Sequence, residues 1–276
     1  MRLRQTTRDR LVQRVEALAA NFETYHRTFL DSEVFSGPSA HFHLRTLSRL
    51  RSHRSFDSLI EDDQYFELLY ATLISWGLHR MGPGNAKLTD FNEFVASCRA
   101  LLARIASLFG QSILTLTDNE AARVAGMVGQ AIEQQTGITE SHSPLVANSK
   151  AVHHFLPDLV PPVDRAYTLK FSFERSDPPG GVAETFELIF QGFAQIAKAN
   201  APYIRDAVAR GMGASGPRAW DSSHAKVLDN VLIGWVRVHP RKAPSAALPE
   251  SDVGLTRLER LGQGTVRHVL GSCGAY

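Results

Sequence analysis

The chain has 276 residues, of which 43% are hydrophobic and 21% charged, with a formal net charge of +2. This length and balance allow one large domain or two small ones around a full core, and exclude wholesale disorder. The two cysteines, Cys98 and Cys273, lie far apart with no CxxC spacing, so they support neither a disulfide framework nor a zinc or iron–sulfur site.

The opening "MRLRQTTRDR" lacks the apolar core of a signal peptide, and no run approaches the roughly 18 apolar residues of a membrane span. A cytoplasmic, soluble protein with no membrane contact is expected. Arginines crowd the N-terminal fifth: Arg2, Arg4, Arg8, Arg10, Arg14, Arg27, Arg45, Arg49, Arg51 and Arg54. They suit either a positive face turned to a polyanion or ordinary solvated helix faces.

Helical periodicity dominates from here on. Leu11, Val15, Leu18, Phe22, Tyr25 and Phe29 recur at three- and four-residue steps, predicting one N-terminal helix with a single apolar stripe. "HFHLRTLSRLRS" (41–52) predicts a shorter helix. "QYFELLYATLISWGL" (64–78) is apolar almost all round and reads as a buried central helix, and "FNEFVASCRALLARIASLF" (91–109) as a long amphipathic one. Thr117 and Glu120 have capping-box spacing and open a helix to about Gln135.

After a Gly/Ser/Pro-containing loop, "SKAVHHFLPDLVPPVDRAYTLKF" (149–171) stands apart. Asn148 or Ser149 can cap a short helix that Lys150 joins in its first turn, near the positive end of the dipole, where an ammonium is disfavoured. Burial there would add to that effect and make a neutral, nucleophilic amine accessible. Asp164 follows Pro161, Pro162 and Val163, where it suits an N-cap and also an ionised carboxylate that stabilises a developing cation. The bland alternatives are a surface lysine and a simple cap. His153 and His154 are read as structural.

"SFERSDPPGG" (172–181) marks a loop, the following stretch holds one or two helices interrupted near Pro202, and "DSSHAKVLDNVLIGWVRV" (221–238) ends the series as a capped amphipathic helix. Lys226 and Asn230 share one face of it. Beyond Pro240 the composition turns to Pro, Ser and Gly, predicting a flexible C-terminal tail over 240–276 after a helical domain over 1–239. With no strand region or internal repeat, the class is all-α.

Lys150, a short helix, an apolar turn and then Pro162, Val163 and Asp164 resemble the core of the helix-hairpin-helix DNA glycosylase superfamily, the endonuclease III and 8-oxoguanine glycosylase group. "FELLYATLIS" (66–75) is similar to the central helix of endonuclease III-type members. The likeness covers about residues 64 to 171. The hairpin glycines of the family and its four-cysteine cluster loop are missing, and the Lys150-to-Asp164 interval of fourteen positions (164 − 150) is a few shorter than usual.

The resemblance implies a two-lobed helical fold with the active-site cleft between the lobes. It implies a bifunctional DNA glycosylase with abasic-site lyase activity, acting in repair or in defence against modified foreign DNA. Lys150 would be the nucleophile and Asp164 its carboxylate partner, on a nucleotide turned out of duplex DNA that carries a damaged or modified base. Trp76, His79, Arg80, Asn148 and Ser149 are candidate DNA or base contacts. No cofactor or metal is implied, and a monomer is expected. Two other readings fit the same residues: a non-catalytic DNA-binding protein of this architecture, and a helical adaptor whose apolar groove takes a partner helix.

Overall fold

The computed structural model describes residues 5–32, 37–79, 87–140 and 144–239. Among them are eleven α-helices and no strand, in keeping with the all-α class. The chain divides into Met1–Pro240 and Arg241–Tyr276, and the second unit, which includes most of the segment read as a tail, lies outside the described residues.

The expected single N-terminal helix is two, α1 (Gln5–Ala20) and α2 (Phe22–Leu30). Asn21 breaks it, because its side chain returns to the Ala17 carbonyl and its own N–H bonds to Leu18 O three residues back. The apolar stripe continues across the break, with Leu11, Val15, Leu18, Phe22 and Phe29 all buried. Pro38 opens α3 (Pro38–Arg51), where its missing N–H costs nothing. After the short α4 (Phe56–Ile60), the central helix α5 (Asp63–Ser75) buries Tyr65, Phe66, Leu69, Thr72 and Leu73, then ends at Trp76 with Gly77 at φ 95°. A side-chain contact between Thr46 and Thr72, with hydroxyls 2.8 Å apart, ties α3 to α5.

The amphipathic α6 (Phe91–Ile105) is capped by Asp90, and α7 (Asp118–Gln134) carries the reciprocal capping box of Thr117 and Glu120. α8 (Pro144–Phe155) and α9 (Thr168–Phe173) follow. The long α10 (Val182–Gly211) kinks at Asn200, two residues before Pro202, which cannot donate to the helix ladder. It packs along α7, α1 and α11 (His224–Val238), so it forms the spine of the core.

α11 lies closest to α2 at Gly234, where even a methyl group would collide with the Tyr25 carbonyl. This approach builds a small aromatic cluster of Phe29, Trp220 and Ile233, with Leu30, Ala40, Trp76 and Tyr167 packed around it. Gly234→Ala is therefore expected to push α11 off α2 and destabilise the protein by roughly 3 kcal/mol, read from urea unfolding midpoints.

Candidate active site

α8 is buried on nearly every face, from Leu145 and Ala147 through Phe155. It packs against α3, α5, α6, α7 and α10, which explains how so short a helix is held. Lys150 is the seventh residue of α8, two turns from its start, and not in the first turn as the sequence suggested. The helix-dipole argument for its reactivity therefore falls away. Asn148 and Ser149 are inside the same helix and cap nothing at its start. Asn148 donates instead to the carbonyls of Ile132 (2.9 Å) and Gln135 (3.0 Å), satisfying the end of α7.

Ser149 sets the geometry of the site. Its Oγ accepts the N–H of Val163 at 3.0 Å, and this bond folds the segment after α8 back onto the helix. Lys150 follows Ser149 and Asp164 follows Val163, so the two functional candidates come together as a consequence. The returning segment is buried through Val163, and Pro161 and Pro162 suit it because they bring no N–H that would need a partner there. Thr168 closes the turn, its Oγ1 accepting the Asp164 N–H at 3.1 Å.

Asp164 caps the turn over 165–167, and α9 begins only at Thr168. Its Oδ1 accepts the Ala166 N–H at 2.6 Å, while Oδ2 lies 3.4 Å from Lys150 Nζ. One oxygen is committed to backbone and the other to the amine. Lys150 Nζ also donates to the carbonyl of Trp76 at 3.2 Å. Its third hydrogen has no partner among the described residues. The Lys150 side chain is 9% exposed and that of Asp164 32%, so the pair opens to solvent on the carboxylate side.

A second buried lysine makes an instructive contrast. Lys226 Nζ on α11 donates to Asp229 Oδ2 (2.6 Å) and Asn230 Oδ1 (2.7 Å). It also lies over the rings of Trp220 (5.1 Å), Phe29 (5.9 Å) and Trp76 (6.0 Å). This ammonium is held by two short bonds among aromatic faces and acts as a fixed charge. Asn230 in turn donates to Trp220 O and to Asp221 Oδ1, each at 3.0 Å, and Asp221 is paired with His26 at 2.8 Å. Burial raises the Asp229 carboxyl above its ordinary value against the pull of Lys226, and Asp229 also feels Asp164 and Lys150. Sequence reasoning singled out Lys226 and Asn230 but passed over Asp229. The clue was a Lys-x-x-Asp-Asn run on a helix whose other residues from Ala225 to Gly234 are apolar.

Three histidines connect these groups. His154 Nδ1–H donates to the Lys150 carbonyl at 2.7 Å, which leaves Nε2 to accept from His43 Nδ1–H at 3.0 Å. His43 Nε2 then accepts from the Ser222 hydroxyl at 2.8 Å. These partners give His43 and His154 one neutral tautomer each along this relay. His153 Nδ1–H donates to Val160 O at 2.8 Å. Burial lowers the pKa of His43 and His153 well below the usual imidazole value, and lowers that of His154 to about 4. The Lys226 ammonium acts in the same direction on all three rings, and that of Lys150 on His154.

The other candidates divide. The indole of Trp76 stands in the ring cluster of His43, His153, His154 and Trp220, and its carbonyl holds Lys150. His79 is exposed, with Nδ1 on Ile74 O, and Arg80 lies outside the described residues. Many of the N-terminal arginines have intramolecular partners: Arg8 with Glu184, Arg10 and Arg14 with Glu174, Arg27 with Glu23, and Arg49 with Asp62. Arg51 donates to the Ser222 carbonyl. Only Arg45 and Arg54 are exposed without such a partner among the described residues, so the arginine crowding is largely a set of clamps.

No protein-family model, curated protein or solved structure matches this chain. Among the described residues, no group of three or more His, Cys, Asp or Glu is placed to hold a metal ion, and no helix is long and apolar enough to cross a membrane.

The neutral histidines dictate an acid response. Unfolded rings take up protons near pH 6.5, whereas the folded chain refuses one at His154 until about pH 4. Unfolding therefore binds protons in that window, and stability falls as pH drops from 6.5 toward 4. Asp62, held at about 2 first by the Arg49 guanidinium and also by His53, extends the loss below pH 4. His154→Gln is expected to reduce proton uptake on unfolding by about one between pH 6.5 and 4, measured as the slope of unfolding free energy against pH.

Proposed function

We propose that the protein is a DNA glycosylase with abasic-site lyase activity, with Lys150 as nucleophile and Asp164 as its carboxylate partner. The observation that carries the reading is the contrast between the two buried lysines. Lys226 is held by two short hydrogen bonds of 2.6 and 2.7 Å and lies over aromatic rings, whereas Lys150 has one carbonyl at 3.2 Å and a looser ion pair at 3.4 Å with a carboxylate that opens to solvent. A purely structural ion pair gains from being fully satisfied. A nucleophile needs a direction in which to react.

The chemistry follows from those two groups. Asp164 Oδ2, 3.4 Å from Nζ, is placed to take a proton from the ammonium. The free amine attacks the anomeric carbon of a nucleotide turned out of the duplex, and the base leaves with the electron pair of its bond. The proton held by Asp164 passes to the departing base, and the restored carboxylate stabilises the positive charge that develops on the sugar. Ring opening gives a protonated imine between Lys150 and the sugar, and loss of a proton from the adjacent carbon expels the 3′ phosphate. The reaction calls on no cofactor or metal. The helices are read as the two lobes of a helix-hairpin-helix glycosylase-like arrangement, with duplex DNA carrying a damaged or modified base against the cleft and one chain acting alone.

Borohydride trapping on duplex oligonucleotides with an abasic site tests this directly. The wild-type protein is expected to form a covalent adduct that vanishes in Lys150→Ala. Asp164→Asn is expected to form it about a hundredfold more slowly while still binding DNA. Tight, salt-sensitive binding with no adduct would instead make this a non-catalytic DNA-binding protein. No DNA binding at all would leave a structural ion pair.

A further inference from the structure

Asp229 is the buried charged group near Lys150 that the reaction above does not use. It lies on α11 three residues from Lys226, with a side chain 8% exposed. Oδ2 takes the Lys226 ammonium at 2.6 Å, and the second oxygen receives no hydrogen bond among the described residues. That oxygen keeps a narrow contact with solvent, so an N–H arriving from outside can reach it in place of water. Lys226 does not supply a donor there: its bonds go to the other Asp229 oxygen and to Asn230.

The surroundings define what kind of donor fits. Lys226 Nζ, 2.6 Å from Asp229 Oδ2, lies 6.0 Å from the centre of the Trp76 ring, which puts the carboxylate next to that indole. Trp76 and Tyr167 are both only partly buried, and both pack on the same small aromatic cluster that Lys226 overlies. An acceptor beside two partly exposed rings suits a flat heterocycle with an N–H on its edge.

We propose that Asp229 recognises the departing base, its free carboxylate oxygen accepting an N–H from a heterocycle seated beside Trp76 and Tyr167. The inference takes its context from the lysine-nucleophile reading. It requires the base to present an amino or ring N–H, and it disfavours heterocycles with every nitrogen alkylated. Lys226 is then a positioning residue, which turns one Asp229 oxygen inward so that the other faces the ligand.

The test uses the full chain and its tryptophan fluorescence, since Trp76 and Trp220 both border the site. Adenine and cytosine, which carry N–H donors, are expected to quench it saturably. Caffeine and 1,3-dimethyluracil, which carry none, are expected to bind about tenfold more weakly. In Asp229→Asn the amide oxygen stays on Lys226 and the NH2 faces outward. The preference should collapse, because all four compounds offer acceptors to that NH2, while saturable quenching remains, which loss of structure alone would not produce.

Equal binding of all four probes by the wild-type protein overturns the proposal, even if the variant fails to fold. An undiminished preference in a folded Asp229→Asn overturns it as well. Borohydride trapping on abasic DNA, where no base is present, should still give the covalent adduct in Asp229→Asn, at a rate lowered by loss of the charge beside Lys226 and Lys150. Loss as deep as in Lys150→Ala would make Asp229 part of the nucleophile machinery instead. If the wild-type protein does not trap abasic DNA at all, the lysine reading fails, and the four-probe comparison still decides the role of Asp229 on its own.

Discussion

The bond from the Val163 N–H to the Ser149 hydroxyl is the contact on which the site depends. It joins residues fourteen positions apart, and the next residue on each side is a candidate catalytic group. Closing such a loop costs entropy that one hydrogen bond does not recover. The apolar residues between them recover it: Phe155, Leu159, Val160 and Val163 are all at most 1% exposed. Hydrophobic burial thus drives the return of the chain, and the Ser149 hydroxyl selects the register in which it arrives. Moving the register by one residue would set Val163 or Arg165 against Lys150 and destroy the ion pair.

With that frame in place, the buried charges can be ordered by how fully they are satisfied. Lys226 is at one extreme, held by Asp229, Asn230 and three rings. Lys150 is at the other, with a carbonyl, a carboxylate at 3.4 Å and an unspent hydrogen. The neutral histidines allow both ammonium groups to coexist in one small volume. A protonated His43 or His154 beside them would add a third positive charge where solvent cannot screen it. The same directional chain from Ser222 through His43 and His154 to the Lys150 carbonyl ties α11's entry, α3 and α8 together. The position of the lysine therefore depends on elements distant in sequence.

Local signals were readable wherever a local pattern carried them. The capping box at Thr117, the kink near Pro202, the Ser223 cap of α11 and the buried central helix all follow from short-range chemistry. The pairing of Lys150 with Asp164 was visible as a motif, and the two side chains do meet. The start of α8 was misjudged because Asn148 and Ser149 look like caps, whereas their hydrogen bonds reach the end of α7 and the returning loop, partners that no local window includes. The arginines misled for the same reason: Arg8 meets Glu184 and Arg14 meets Glu174, each over 150 positions away. His43 gave no signal at all, since its partners are His154 and Ser222.

The cluster around Lys150 also concentrates features that cost stability. Among the described residues five buried side-chain atoms lack a hydrogen-bond partner, and three of them, Trp76 Nε1, His153 Nε2 and Asp221 Oδ2, lie in or against this cluster. The rest of the core is apolar and closely fitted, with Gly129 and Gly234 admitting helix contacts that a side chain would block. A chain selected only for stability would fill such a centre with hydrocarbon, because hydrophobic replacements of buried ion pairs are often neutral or favourable. Here two lysines, two aspartates and three histidines occupy it, and the aromatic rings around them are arranged to tolerate the charge. Departures from local optimality gather where a fold is used, and in this molecule they gather around the lysine that the returning loop brings to Asp164.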